Sequence, residues 1–178
     1  MAITRVLGAT AVAATLPTTV GGTGATTFSP GKILQVVQGS STTQTDIAST
    51  SYTDTTVTAD ITCAATSSKV LVLANIQSDL YRNSNNAIYA GYQLVRDVTS
   101  VYQIYASTGI QAGTGSSGWL EVYGATLVSY LDSPSSTSAL TYKIQAKLND
   151  TGNSSNLRLQ KNDDTTTIST ITLIEVGA

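Results

Sequence analysis

Residues 140–148, with the sequence LTYKIQAKL, decide the fold class because their side chains alternate strictly between apolar and polar. This alternation is typical of a β-strand that buries one face and exposes the other. Shorter alternations at 57–61 and 156–161 extend the same pattern. The residues of 140–148 that we expect to face a core are Leu140, Tyr142, Ile144, Ala146 and Leu148.

Short strand-like runs continue on both sides of this segment, separated by turns rich in Gly, Asn, Asp and Ser. The run at 69–76, KVLVLANI, is almost continuously apolar, and we expect a strand covered on both faces there. About nine regularly spaced strands with no helical segment predict an all-β, antiparallel β-sandwich of the jelly-roll type. The predicted strands are 33–37, 57–62, 69–76, 87–95, 100–106, 119–131, 140–148, 156–161 and 168–176.

The N-terminal residues differ in composition from the rest of the chain. Residues 16–31, LPTTVGGTGATTFSPG, are dense in Gly and Pro and show neither a helical nor a strand period. The sequence therefore predicts an extended anchoring arm at 1–31 and a jelly-roll β-sandwich domain at 32–178. Since such an arm buries too little apolar surface to offset its chain entropy, we expect it to become ordered against another protein. The residues predicted to anchor it are Leu16, Pro17, Gly21, Gly22 and Phe28.

Composition argues against several classes of function. Charged residues make up 11% of the chain and the formal net charge is -2, so no positive field is available to attract nucleic acid. The chain has no His and a single cysteine, Cys63, which excludes a catalytic triad, a Cys-His dyad and a zinc site. Cys63 lies in an apolar segment and is expected to be a buried thiol. No run approaches the ~20 apolar residues that cross a bilayer, so membrane insertion is not expected. We predict no enzymatic activity and no cofactor.

Three groups of residues are candidates for a binding role. Asp163 and Asp164 have the oxygen ligands that calcium prefers, although adjacent acids in a turn are more often only solvated. The Gly-rich segment 107–118 lacks the Gly-Lys-Ser/Thr ending of a phosphate loop. It is either a plain connection or an apical loop, whose contact residues would be Gln111 and Trp119. The aromatic residues suit sugar stacking, but interface or core packing is favoured for them. They are Tyr81, Tyr89, Tyr92, Tyr102, Tyr105, Tyr123 and Trp119.

Several segments resemble a known group of proteins. Residues 16–27, LPTTVGGTGATT, resemble the Gly-Gly-Thr-Gly linkers of phage tail-fibre proteins. Residues 31–38, 66–72, 131–134 and 169–176 resemble segments of small virion structural proteins of marine tailed phages. The resemblance implies a trimeric jelly-roll head of the complement-globular-head and tumour-necrosis-factor kind, with no catalytic residues. The short N-terminal region departs from long fibres, which carry an extensive shaft.

These observations predict a bacteriophage virion protein at the particle surface. In the first hypothesis it is a homotrimeric module of the tail-fibre or receptor-binding type, held to other phage virion proteins by residues 1–31 and contacting a host surface glycan or protein. In the alternative it is a head decoration protein that stabilises the capsid. A third hypothesis, a secreted bacterial adhesin, requires cleavage of a leader after Ala13 or Ala14.

Overall fold

The computed structural model describes residues 32–83, 87–111, 118–152, 154–161 and 166–177. Within these ranges the regular structure consists of strands alone. Alternating and β-branched sequences account for most of them, because such side chains pack well on a pleated surface. The strands are β1 (Ile33–Ser41), β2 (Thr45–Ile47), β3 (Thr53–Thr62), β4 (Lys69–Asn83), β5 (Ile88–Arg96), β6 (Thr99–Ile110), β7 (Trp119–Asp132), β8 (Ala139–Leu148), β9 (Asn156–Leu159) and β10 (Ser169–Val176).

The strands form two antiparallel sheets. The four-stranded sheet has the order β3-β8-β5-β6, and β4 is the central strand of the six-stranded sheet. One edge of β4 pairs with β7 along its whole length. Its other edge is shared, since residues 69–75 pair with β10 and residues 78–81 pair with β9. Beyond these, β1 pairs with β10 and β2 pairs with β9, so the sheet is forked.

The pairing is nested along the chain. The innermost pair is β5 with β6, and the pairs β4 with β7, β3 with β8 and β1 with β10 enclose it successively. A long antiparallel ribbon folded in this way and wrapped into two sheets is a jelly roll. The predicted fold class is therefore confirmed for the part of the chain that the structure describes. The described residues from Ile33 onward form one compact unit.

The core lies between the two sheets. The alternation that predicted β8 is confirmed, because Tyr142, Ile144, Ala146 and Leu148 are each 0% exposed. Tyr142 also joins a polar contact between strands, where its hydroxyl donates to Asp132 Oδ2 at 2.6 Å and Arg96 Nη1 lies 2.5 Å from the same oxygen.

The buried thiol predicted for the single cysteine is also found. Cys63 is 2% exposed, and it is a free thiol that lies among the core residues. Its burial raises the pKa of the thiol, so the reactive thiolate form is disfavoured.

Three predictions about strands were wrong. The described residues form ten strands where about nine were expected. The strand that was missed is β2, whose three residues are too few to show an alternation. The first strand does not end before Gly39 but continues to Ser41. Its apolar run is also not fully buried, because the exposed fraction of Val36 is 59%. β4 is not covered on both faces, because Leu73 is 39% exposed on the face that points away from the core.

Candidate functional site

Four charged residues lie together on the outer face of the six-stranded sheet. Asp79 is on β4, Glu121 on β7 and Arg158 on β9, while Lys161 follows β9 directly. Arg158 is the cross-strand partner of Asp79, and Glu121 is the partner of Tyr81, one position along the same face of β4. Side chains two apart on a strand share a face, so this register brings the charges together. We call these four residues the charged cluster.

The charged cluster is held by short ion pairs. Arg158 Nη2 lies 2.6 Å from Asp79 Oδ2 and also contacts Glu121 Oε1. Lys161 Nζ lies 2.6 Å from Glu121 Oε1 and 3.8 Å from Asp79 Oδ2. The side chains of Asp79 and Glu121 are only 1% and 3% exposed, although they belong to an outward-facing surface. Both carboxyl groups are therefore enclosed by their partners.

The two carboxyl groups titrate differently because they share one site. Burial raises the pKa of Asp79 to about 7, and the neighbouring Glu121 carboxyl adds to the rise. For Glu121 burial acts in the same direction, but hydrogen bonds from Asp79, Lys161 and Tyr123 prevail and lower its pKa to about 2. Below neutral pH, Asp79 is therefore mostly protonated while Glu121 keeps its negative charge.

Aromatic rings surround the charged cluster. Arg158 Cζ lies 5.6 Å from the centre of the Tyr81 ring, and Lys161 Nζ lies 5.0 Å from the centre of the Tyr123 ring. Lys161 Nζ also donates to the Tyr123 hydroxyl at 2.9 Å. The centres of the Tyr81 and Trp119 rings are 6.0 Å apart. Cations above ring faces gain electrostatic stabilisation, so the rings fix the positions of both cations.

A surface cavity of about 370 Å³ opens beside the charged cluster. Part of its wall is the exposed ring of Tyr123, and its polar part includes Asp79 and Lys161. Neither oxygen of Asp79 accepts a hydrogen bond of normal geometry from the described residues, despite the ion pair with Arg158. The cavity is lined by Gln77, Ser78, Asp79, Tyr123, Gly124, Ala125, Lys161 and Thr167.

The spacing of the two acids differs from that of a glycosidase pair. Both carboxyl groups contact the same nitrogen of Arg158, so their oxygens are close neighbours. Glycosidases need their two acids about 5–10 Å apart, with the scissile bond between them. The charged cluster leaves no such gap. The described residues also contain no group of three or more potential metal ligands.

The opposite end of the same outer face has a different character. Four ranges on neighbouring strands, 36–40, 71–75, 127–131 and 170–174, contain no charged residue. A groove of about 260 Å³ lies between β4, β7 and β10. We call these ranges the uncharged half. Its exposed large side chains are Val36, Leu73, Leu127 and Leu131, with exposed fractions of 59%, 39%, 71% and 49%.

The structure separates the residues predicted to bind. Trp119 begins β7 and is 62% exposed beside Tyr81, so it borders the charged cluster. Gln111 follows β6 of the other sheet and is exposed. Residues 1–31, with the predicted anchors Leu16, Pro17, Gly21, Gly22 and Phe28, lie outside the described residues, as do Asp163 and Asp164.

The aromatic residues divide between the two interpretations. Tyr92 is 0% exposed and belongs to the core, whereas Tyr102 stacks on Tyr130 with ring centres 5.4 Å apart. Tyr123 is 65% exposed. Sequence analysis missed the charged cluster, since its four members come from three separate segments of the chain. One feature of the sequence could have indicated the charged cluster: Arg158 is an outward-facing charge in a chain that has few charged residues.

The chain matches no protein-family model and no curated protein. Among solved structures it is similar to the VP2 subviral particle of infectious bursal disease virus, with 12% identity over 81% of this chain and a TM-score of 0.37. It is also similar to the T13 particle of the same virus, with 12% identity over 84% of this chain and a TM-score of 0.35. The chain covers 38% and 39% of the length of those two chains. No helix in the described ranges is long and apolar enough to cross a membrane.

Proposed function

We propose that this protein is a non-enzymatic structural module of a bacteriophage particle, and that identical copies associate through the uncharged half. The observation that carries the proposal is the run of exposed apolar side chains on adjacent strands of a rigid jelly roll. Exposed patches of this kind are typical of interaction surfaces. The resemblance of residues 16–27 to phage tail-fibre linkers, and of residues 31–38 to small virion proteins of marine tailed phages, supports the virion assignment.

A second copy of this chain is the occupant that best suits the uncharged half. A charged side chain that is buried between two copies loses its water and must find a partner of opposite charge, or the interface is destabilised. The ranges that form the uncharged half carry no charged residue, so this penalty does not arise. Burial of its leucine side chains contributes about 25 cal/mol per Å² of apolar area. A closed ring of three copies is the arrangement that the resemblance implies.

In this proposal residues 1–31 anchor the trimer to other virion proteins, and another surface of the trimer contacts a glycan or protein of the host. This is the tail-fibre or receptor-binding role. Head decoration is the second candidate. Copy number per purified particle separates the two, because a tail appendage is present in few copies and a decoration protein in numbers similar to the coat protein. An N-terminus beginning after Ala13 or Ala14 would instead support the secreted adhesin.

Self-association is tested by sedimentation equilibrium of the full chain. We expect a particle of three 18.4 kDa chains. Leu127→Lys places a charge in the uncharged half and is expected to give monomers, because the charge loses its water in the interface. Val98→Lys is the matched control, since Val98 is 95% exposed in the turn between β5 and β6. A wild-type monomer, or a trimer that survives Leu127→Lys, contradicts the proposal.

A further inference from the structure

We infer that the cavity between Asp79, Tyr123 and Lys161 binds one neutral sugar unit of a host glycan. This inference deepens the proposed receptor-binding role and rests on it, because it gives that role a ligand class and a place. The site lies on the outer face of the six-stranded sheet. It includes no residue of the segment 107–118, which was predicted to be either a plain connection or an apical contact loop.

The size of the cavity suits a small polar ligand. Its volume of about 370 Å³ is at the lower end of the range for small-molecule sites. The 65% exposed ring of Tyr123 stands at one side. Ala125, with only a methyl group, lines the cavity next to it. An aromatic face beside a small apolar surface matches a sugar ring, whose C–H groups form apolar faces.

The cavity offers a sugar a ring face and a hydrogen-bond acceptor. The Tyr123 hydroxyl accepts from Lys161 and donates to Glu121, so Tyr123 offers a ligand its ring and not its proton. The oxygens of Asp79 are fully buried beside Arg158 and form the floor of the cavity, not a contact for the ligand. Gln77 donates its side-chain N–H to Asn75 at 3.4 Å, and its side-chain oxygen remains an acceptor. A sugar hydroxyl can donate to this oxygen while the sugar ring lies beside Tyr123.

Charge matching favours a neutral sugar over an acidic one. The two cations of the charged cluster, Arg158 and Lys161, already contact the carboxyl groups of Asp79 and Glu121. A ligand carboxylate would compete with these enclosed acids for the same cations. A neutral ligand leaves every ion pair in place and uses only hydrogen bonds and ring contact.

The test is saturation-transfer NMR on the full chain with methyl glycosides of glucose, galactose, mannose and glucuronic acid. We expect transfer to at least one neutral glycoside. Tyr123→Ala is expected to weaken that binding about tenfold, through loss of the ring contact. Tyr105→Ala is the matched control, because Tyr105 is 68% exposed on the other sheet and its loss should leave binding unchanged.

A second variant tests the cavity without touching the charged cluster. Ala125→Trp fills the cavity from an exposed strand position, so it should fold normally and abolish transfer. The inference is overturned by no transfer from any neutral glycoside, by preference for the glucuronic acid glycoside, or by binding that survives Ala125→Trp. Sedimentation of the same samples distinguishes the two proposals. A trimer that binds no glycoside refutes only the ligand site, and a monomer that binds one refutes only self-association.

Discussion

The uncharged half and the charged cluster lie on the same outer face of the six-stranded sheet, but they differ in how their side chains are covered. In the uncharged half, the hydrocarbon side chains of Leu127 and Val36 remain exposed to solvent. In the charged cluster, Asp79 and Glu121 are enclosed by two cations and by aromatic rings. Side chains of the charged cluster are therefore buried by partners within the same chain. In our proposal, side chains of the uncharged half are buried by other copies of the chain.

The largest expected effect comes from removing the cation that both acids share. Arg158→Ala leaves Asp79 and Glu121 enclosed with only Lys161, and breaking a buried ion pair costs about 3 kcal/mol or more. We expect the free energy of unfolding to fall by about 3 kcal/mol, measured by urea denaturation at neutral pH.

The control for this change is an exposed ion pair of the other sheet. Lys143 Nζ lies 2.8 Å from Asp54 Oδ2, and the Asp54 side chain is 57% exposed. Lys143→Ala is expected to cost less than about 1 kcal/mol. Equal losses for the two variants would show that enclosure adds nothing to the charged cluster.

A smaller effect is expected from the proton on Asp79. Its pKa of about 7 exceeds the usual value of ~3.9, so between these two pH values the folded chain holds a proton that the unfolded chain releases. Stability must therefore fall as pH rises through this window. Asp79→Asn keeps an N–H donor toward Glu121 but does not titrate. Between pH 5 and pH 8 we expect the wild type to lose about 2 kcal/mol more than this variant.

Denaturant titrations of both proteins across that window provide the measurement. Identical pH dependence in wild type and Asp79→Asn would mean that the proton is not held at Asp79. At acid pH the free energy of unfolding depends on Glu121, whose pKa is lowered to about 2 in the folded chain. The stability that its carboxylate contributes is lost as pH falls below ~4.

The smallest effect on folding is expected in the uncharged half. Leu127 is 71% exposed, so Leu127→Ser should change the unfolding free energy of the monomer by no more than about 0.5 kcal/mol. The measurement is made at concentrations where trimers have dissociated, because assembly otherwise adds to apparent stability. A loss above about 1.5 kcal/mol would assign Leu127 to the packing of the monomer and weaken the contrast between the halves.

The sequence predicted the inner faces of the strands better than their outer faces. Alternation in β8 identified Leu140, Tyr142 and Ile144 as core residues because inward burial leaves a period of two. Outer faces carry no such pattern. Asp79 and Glu121 are 42 positions apart in the chain, and only the register of β4 with β7 and β9 brings their strands together.

Gly39 shows why the end of the first strand was predicted wrongly from the local sequence. Glycine usually marks a strand end, yet Gly39 is paired with Ile171 inside β1. A Cβ atom built there would lie 1.9 Å from the backbone oxygen of Thr58 in the opposite sheet. Glycine is needed because the two backbones approach closely at this point. A single sequence gives no sign of a contact between strands that are far apart along the chain.

The nested order of the strand pairs also governs how the chain can reach its folded form during synthesis. The β5–β6 hairpin is local and is complete once Ile110 has left the ribosome, whereas β1 must wait for β10. Distant pairings of this kind slow folding, so the edge of β1 that pairs with β10 stays unpaired until β10 has been synthesised. We therefore expect newly made chains to depend on chaperones until the last strand closes the ribbon.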